Sequence, residues 1–141
     1  MAFSKPATIP GLGVPVSYYR IERIDRMDQL TKEAFFKLHA YTDQAAAKAS
    51  TIGGFYHAGR VYVKGPAFDA YFSRAALHST KNSVHGQLYQ LIKDVVAAKK
   101  AANPTEAQKV LTHYGQVDIV NDFGGVDFFA DATDVFEAGQ P

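Results

Sequence analysis

The apolar positions of this chain change period along its length, and the changes mark out its elements. From Val14 to Met27 the β-formers Val14, Val16, Tyr18, Tyr19, Ile21 and Ile24 are interleaved with polar residues, which predicts a long strand. Asp28, Gln29 and Leu30 make a turn. Thr31 to Thr42 then alternates, with Phe36, Leu38 and Ala40 on one face and Glu33, Phe35, Lys37, His39 and Tyr41 on the other. So short a connection predicts an antiparallel hairpin. The second face mixes aromatic and charged side chains, so it is not expected to be simply solvated. Phe55 to Lys64 predicts a third strand, with Phe55, His57, Gly59, Val61 and Val63 alternating against Tyr56, Ala58, Arg60, Tyr62 and Lys64. Gly65-Pro66 ends it.

Elsewhere the spacing turns helical. The alanine-rich stretch Asp43 to Ser50 suits one helical turn or an irregular crossing. Phe68, Tyr71, Phe72 and Leu77 approximate helical spacing and predict a short helix within 67–77. Ser83 can cap a firmer helix from Val84 to about Lys100. Val84, Leu88, Leu91, Ile92, Val95 and Val96 form its apolar stripe, and Lys99 and Lys100 suit the negative end of its dipole. In Asn103-Pro104-Thr105-Glu106, Asn103 is placed to cap a further helix, Pro104 to take its first position and Glu106 to reach back. That helix is expected to stop at Gly115, and Val117 to Val120 predicts one more short strand.

The expected fold class is therefore α+β: an antiparallel sheet built on a long hairpin, with two or three helices packed on it and extended termini. Residues 1–13 read as an extended arm, because Pro6 and Pro10 break regular structure and Gly11 and Gly13 loosen the rest. Residues 14–120 form a single α+β domain, and 121–141 an acidic, Phe-rich C-terminal segment.

Composition narrows the function classes. A chain of 141 residues that is 47% hydrophobic has enough material for one core. The net charge of +1 supplies no electrostatic drive toward a phosphate backbone and little repulsion between copies. The absence of Cys removes disulfides, thiolate nucleophiles and cysteine zinc sites, and suits a reducing compartment. The N-terminus lacks the apolar core of a signal peptide, and no apolar run approaches the ~20 residues that span a bilayer.

No catalytic constellation emerges from the pattern. His39, His57, His78, His85 and His113 show neither the i, i+4 nor the i, i+2 spacing that points two metal ligands together, so no metal site is expected. A G-x-S-x-G nucleophile elbow is absent. Gly11-Leu12-Gly13 follows no strand and precedes Pro15, not a helix, so it cannot hold a pyrophosphate; Gly53-Gly54 lacks the Lys-Ser/Thr of a P-loop. No cofactor and no small-molecule substrate are expected. Arg20, Arg23 and Arg26 beside Tyr18 and Tyr19 can stack single-stranded nucleic acid, or can pair across strands with carboxylates such as those of Glu22 and Asp25. Phe123, Phe128, Phe129 and Phe136 are costly to leave in water, at about 1.5–3 kcal/mol each, so they either complete this core or dock on a partner.

The stretch Gly13-Val14-Pro15-Val16-Ser17-Tyr18-Tyr19-Arg20-Ile21 leads into the charged hairpin Ile24 to Thr42, and Asp43-Gln44-Ala45-Ala46-Ala47-Lys48-Ala49 follows. Together these resemble small virion proteins of tailed bacteriophages, in which a Tyr-(Tyr/Trp)-Arg-Ile strand pairs with a second strand ending in an Asp/Ala/Lys-rich link. Phe68 to Leu77 and the helix after Ser83 are similar too. The resemblance spans residues 13–96, has no counterpart for Asn103 to Pro141, and carries over no active site. It implies a structural, non-enzymatic part of a tail, baseplate or neck, located in the virion and assembled in the bacterial cytoplasm. The implied partners are other virion proteins and copies of the chain, with no nucleic acid and no membrane. Tyr18, Tyr19, Arg20, Phe123, Phe128, Phe129 and Phe136 are the expected partner-binding residues. A free protein-binding module or regulator is the alternative, followed by a nucleic-acid binder or a small enzyme.

Overall fold

The structure, a computed structural model, describes residues 2–8, 13, 15–49, 56–112, 117–121 and 133–135. Its elements are β1 (Ala2–Thr8), β2 (Pro15–Asp28), β3 (Glu33–Tyr41), α1 (Gln44–Ala49), β4 (Tyr56–Lys64), α2 (Pro66–Phe72), α3 (Arg74–Thr80), α4 (Val84–Lys100), α5 (Glu106–Thr112), β5 (Val117–Asn121) and β6 (Thr133–Val135). The strands form one antiparallel sheet in the order β5-β4-β3-β2-β1-β6. The fold is α+β, as the alternating hairpin and the helical stripe predict.

The β2–β3 hairpin is the frame. Its register runs from Tyr18↔Tyr41 to Asp28↔Glu33, with irregularities between Ile21 and Arg23 and between Ile24 and Arg26. Such bulges bend a strand and sharpen its twist, which lets so long a hairpin curl over a helical layer. Alternation then decides what is buried. Ala34, Phe36, Leu38 and Ala40 of β3 and Val61 and Val63 of β4 face the helices and are buried. The core is closed by Phe68 and Phe72 of α2, by Leu88, Leu91, Ile92 and Val95 of α4, and by Leu111 of α5. Phe36 and Phe72 meet with ring centroids 5.3 Å apart. On the opposite face Ala2, Tyr18 and Tyr41 form a smaller cluster with Ala47 of α1.

Local chemistry sets the helix ends. Gly65 adopts φ +60°, a conformation that excludes most side chains, and delivers Pro66 to the first turn of α2. The single helix expected within 67–77 is two. Ser73 is extended (φ −62°, ψ 156°); its hydroxyl donates to Asp69 O at 2.7 Å and accepts from Ala76 N at 3.1 Å, so it closes α2 and caps α3. Ser83 caps α4 as predicted, accepting from Gly86 N at 3.0 Å. In α5 the capping residue is Thr105, not Asn103. Thr105 Oγ1 accepts from Gln108 N at 3.2 Å, and Gln108 Oε1 accepts from Thr105 N at 2.8 Å, a reciprocal box that starts the helix at Glu106.

The N-terminal arm is corrected in one respect: Ala2–Thr8 is a strand inside the sheet. It pairs with β2 on one side and, over Ala2–Ser4, with β6 on the other. Pro6 is tolerated because the β1–β2 register shifts between Ser4 and Ala7, and because Pro6 lies beyond the stretch that pairs with β6. The pairs Ala2↔Val135 and Ser4↔Thr133 bring residues from opposite ends of the sequence together.

Candidate functional site

The β2–β3 turn, Gln29–Lys32, is tied down from several directions. Asp28 Oδ1 accepts from the backbone N–H groups of Leu30 (2.9 Å) and Thr31 (3.1 Å). Those N–H groups, Thr31's foremost, hold the Asp28 carboxyl below its ordinary range. Lys32 takes φ +58°. Its carbonyl accepts from Gly65 N at 3.1 Å, and its ammonium lies 3.0 Å from Asp69 Oδ2 of α2. Gln29 Nε2 donates to Phe72 O, at the end of α2, at 2.7 Å. The turn is thus bolted to α2 at both ends of that helix. Its one large apolar side chain, Leu30, is 91% exposed. Arg74, at the start of α3, lines the same shallow depression as Leu30 and Gln29.

A second region is the sheet face turned away from α2, α4 and α5, beyond the part that α1 covers. Register places Arg23, Lys37 and Arg60 directly opposite one another on β2, β3 and β4. Asp25 sits between two of them, with Oδ1 2.6 Å from Arg23 Nε and Oδ2 3.3 Å from Lys37 Nζ. In the next row Phe35 and Tyr62 stack with centroids 4.3 Å apart, and Tyr62 is 49% exposed. Arg26 reaches Glu33 at 3.2 Å.

The third region is a cleft of about 560 Å³ between α2, α4 and α5. Several of its polar side chains are tied to one another or to backbone. Asn82 Nδ2 donates to Gln87 Oε1 (2.9 Å), and Gln87 Nε2 donates to Tyr71 O (2.9 Å). The Tyr71 hydroxyl donates to Asp94 Oδ2, and Gln90 Nε2 to Asp94 Oδ1 (2.8 Å). Burial, with the Asp94 carboxylate as acceptor, pushes the Tyr71 hydroxyl up, so it stays a proton donor. Pro66, Ala70, Ala97, Ala107, Val110 and Leu111 form the apolar remainder.

The structure puts the sequence-predicted partner residues elsewhere. Tyr18, Tyr19 and Arg20 are buried within the chain itself. Tyr19 donates its hydroxyl to Lys5 O at 3.0 Å, and burial pushes that group up to about 12. Arg20 Nη2 donates to Ala47 O at 3.1 Å, with its guanidinium 5.5 Å from the Tyr41 ring centre. The Tyr18 hydroxyl is buried with no hydrogen-bond partner among the described residues. Phe123, Phe128, Phe129 and Phe136 lie outside the described residues. Of the three arginines read as a possible stacking surface, Arg20 is interior, while Arg23 and Arg26 engage Asp25 and Glu33.

His39 is buried, and register sets it opposite His57, a juxtaposition across strands that linear spacing could not reveal. His78 is exposed; His85 is half-buried, and burial lowers its pKa. His113 lies outside the described residues. Among the described residues no group of three metal-ligating side chains forms, and no helix is long and apolar enough to cross a membrane. Leu30 was legible only as an apolar residue where turn chemistry favours polar ones; the Tyr71–Asp94 cleft had no sequence signal. No family model, curated protein or solved structure matches the chain.

Proposed function

We propose that this chain is a structural part of a larger particle, acting through contacts with copies of itself and with neighbouring proteins. The resemblance of residues 13–96 directs the proposal to the tail, baseplate or neck of a tailed bacteriophage. On this reading the chain turns over no substrate, needs no cofactor, and engages neither nucleic acid nor membrane.

The observation that supports it is the Leu30 turn. Single exposed leucines are common on protein surfaces and mean little. Here, however, two side-chain contacts and a backbone hydrogen bond to α2 or its preceding glycine, together with an internal Asx turn, hold one apolar side chain almost fully in water. Those bonds offset the conformational cost of ordering the turn before any partner arrives. A preorganised apolar projection then loses less entropy on docking.

The test is incorporation. Tagged wild-type chain should co-purify with intact particles through density-gradient banding, and a Leu30→Asp variant of unchanged thermal midpoint should be left in the soluble fraction. Recovery of the wild type only as a one-to-one complex with a single host protein, and never with particles, would replace this reading with that of a free regulator.

A further inference from the structure

We infer that Leu30 of one copy seats in the α2–α4–α5 cleft of the next, joining copies head to tail. The inference rests on the assembly reading and names the surface that receives the projection. The cleft has the volume of a small-molecule site, for which about 300–1,000 Å³ is usual. Four of its polar side chains, however, are already committed within the chain. Asn82, Gln87, Tyr71 and Gln90 are already engaged with each other, with Asp94 and with the backbone. Beside them, with Thr80 and Gln108, lies an alanine-, valine- and leucine-lined wall, which fits an aliphatic side chain.

Charge points the same way. Among the described residues Asp94, half-buried at the cleft, forms no ion pair. Arg74, exposed beside Leu30, forms none either. An apolar knob flanked by an unpaired cation therefore matches an apolar hollow flanked by an unpaired anion. The two patches share no lining residue, so one chain presents both halves of a heterologous contact. Such a contact repeats, closing into a ring when the rotation allows and otherwise growing as a filament.

Sedimentation velocity over a concentration series tests this with four samples: wild type, Leu30→Asp, Ala107→Trp, and an equimolar mixture of the two variants. Both positions are exposed, so folding should be retained, and Ala97→Trp duplicates the cleft block if Ala107→Trp misfolds. The wild type should associate. Each variant alone should weaken association about 30-fold or more, as expected for loss of a hot spot. The mixture should form a dimer and nothing larger, because the intact knob of the Trp variant meets the intact cleft of the Asp variant. A wild type that associates while the mixture stays monomeric, or while either variant still associates fully, overturns the head-to-tail contact and leaves the assembly reading standing. A wild type monomeric at every concentration overturns the head-to-tail contact, and the assembly reading then stands or falls on incorporation into particles.

Discussion

The hydroxyl of Tyr89, on α4, accepts the backbone N–H of Ile21, on β2, across 2.8 Å. Ile21 lies where the ladders on β2 falter: the β1 register ends at Tyr19, and the β3 register shifts just after Ile21. A backbone donor left there inside the core would carry a desolvation cost, and the helix supplies the acceptor. Burial pushes the Tyr89 hydroxyl up, so it remains protonated. The same ring meets Phe3 of β1 edge-on at 5.3 Å, so one side chain serves two strands.

Tyr89→Phe should therefore destabilise the fold although it keeps the ring. The expected loss is about 1–3 kcal/mol, the cost of a buried N–H without a partner. Urea unfolding should show a lower midpoint with an unchanged slope, since the same surface is exposed on unfolding. A midpoint equal to that of the wild type would mean that Ile21 N–H finds another acceptor.

The start of α5 distinguishes two capping assignments. Thr105→Ala removes the Oγ1 that accepts from Gln108 N and should cost about 1 kcal/mol. Asn103→Ala, at an exposed position outside the box, should change stability by no more than about 0.5 kcal/mol. Equal effects from both substitutions in thermal unfolding would refute the reciprocal box.

Much of the sheet was legible because its signals are local. Alternation placed Phe36, Leu38, Val61 and Val63, and a 3.6-residue stripe with Ser83 before it placed α4. The failures lie where a distant partner decides. Pro6 argues against a strand, yet β1 forms because β2 and β6 accept it from both sides. Alternation on β2 could not show that α1 would cover Tyr18 and Arg20, so these looked available to a partner. Tyr89 and Gln87 fall outside an aliphatic stripe but are buried because each polar end has a specific acceptor or donor across the core. The bracing of Leu30 rests on Gln29 reaching Phe72, 43 residues away, which no local pattern contains.

Acid should loosen the Leu30 turn. Backbone N–H groups hold the Asp28 carboxyl below its ordinary value of 3.8, so the folded state binds fewer protons than the unfolded one as pH falls through that range. The stability this group contributes is present above about pH 4 and is lost as pH falls toward the depressed folded value. Asp28→Asn keeps an acceptor oxygen but cannot titrate. The wild-type advantage over this variant, measured by urea unfolding at several pH values, should shrink below about pH 4. A difference that stays constant from pH 7 to pH 2.5 would show that the carboxylate charge is not what holds the turn.

The cation row on the sheet face opposite α2, α4 and α5 makes a prediction of opposite character, governed by salt. Arg23, Lys37 and Arg60 stand directly opposite one another, and like charges in that relation repel by about 0.2–1 kcal/mol per pair. Asp25 is the one carboxylate paired with both Arg23 and Lys37 among the described residues. Its Oδ2 has no aligned hydrogen-bond donor, so its hold on Lys37 is electrostatic. Asp25→Asn keeps the shape and removes the charge, which should cost about 1–2 kcal/mol at low ionic strength. Raising salt from about 0.1 M to 1 M shortens the screening length from about 10 Å to about 3 Å and should close much of that gap. Adding Lys37→Gln should recover part of the loss, because the neutral row no longer needs an anion; the coupling in the double-mutant cycle measures how much. A deficit that persists unchanged in high salt, with no recovery in the double variant, would assign the role of Asp25 to packing at the bulged strand and not to charge.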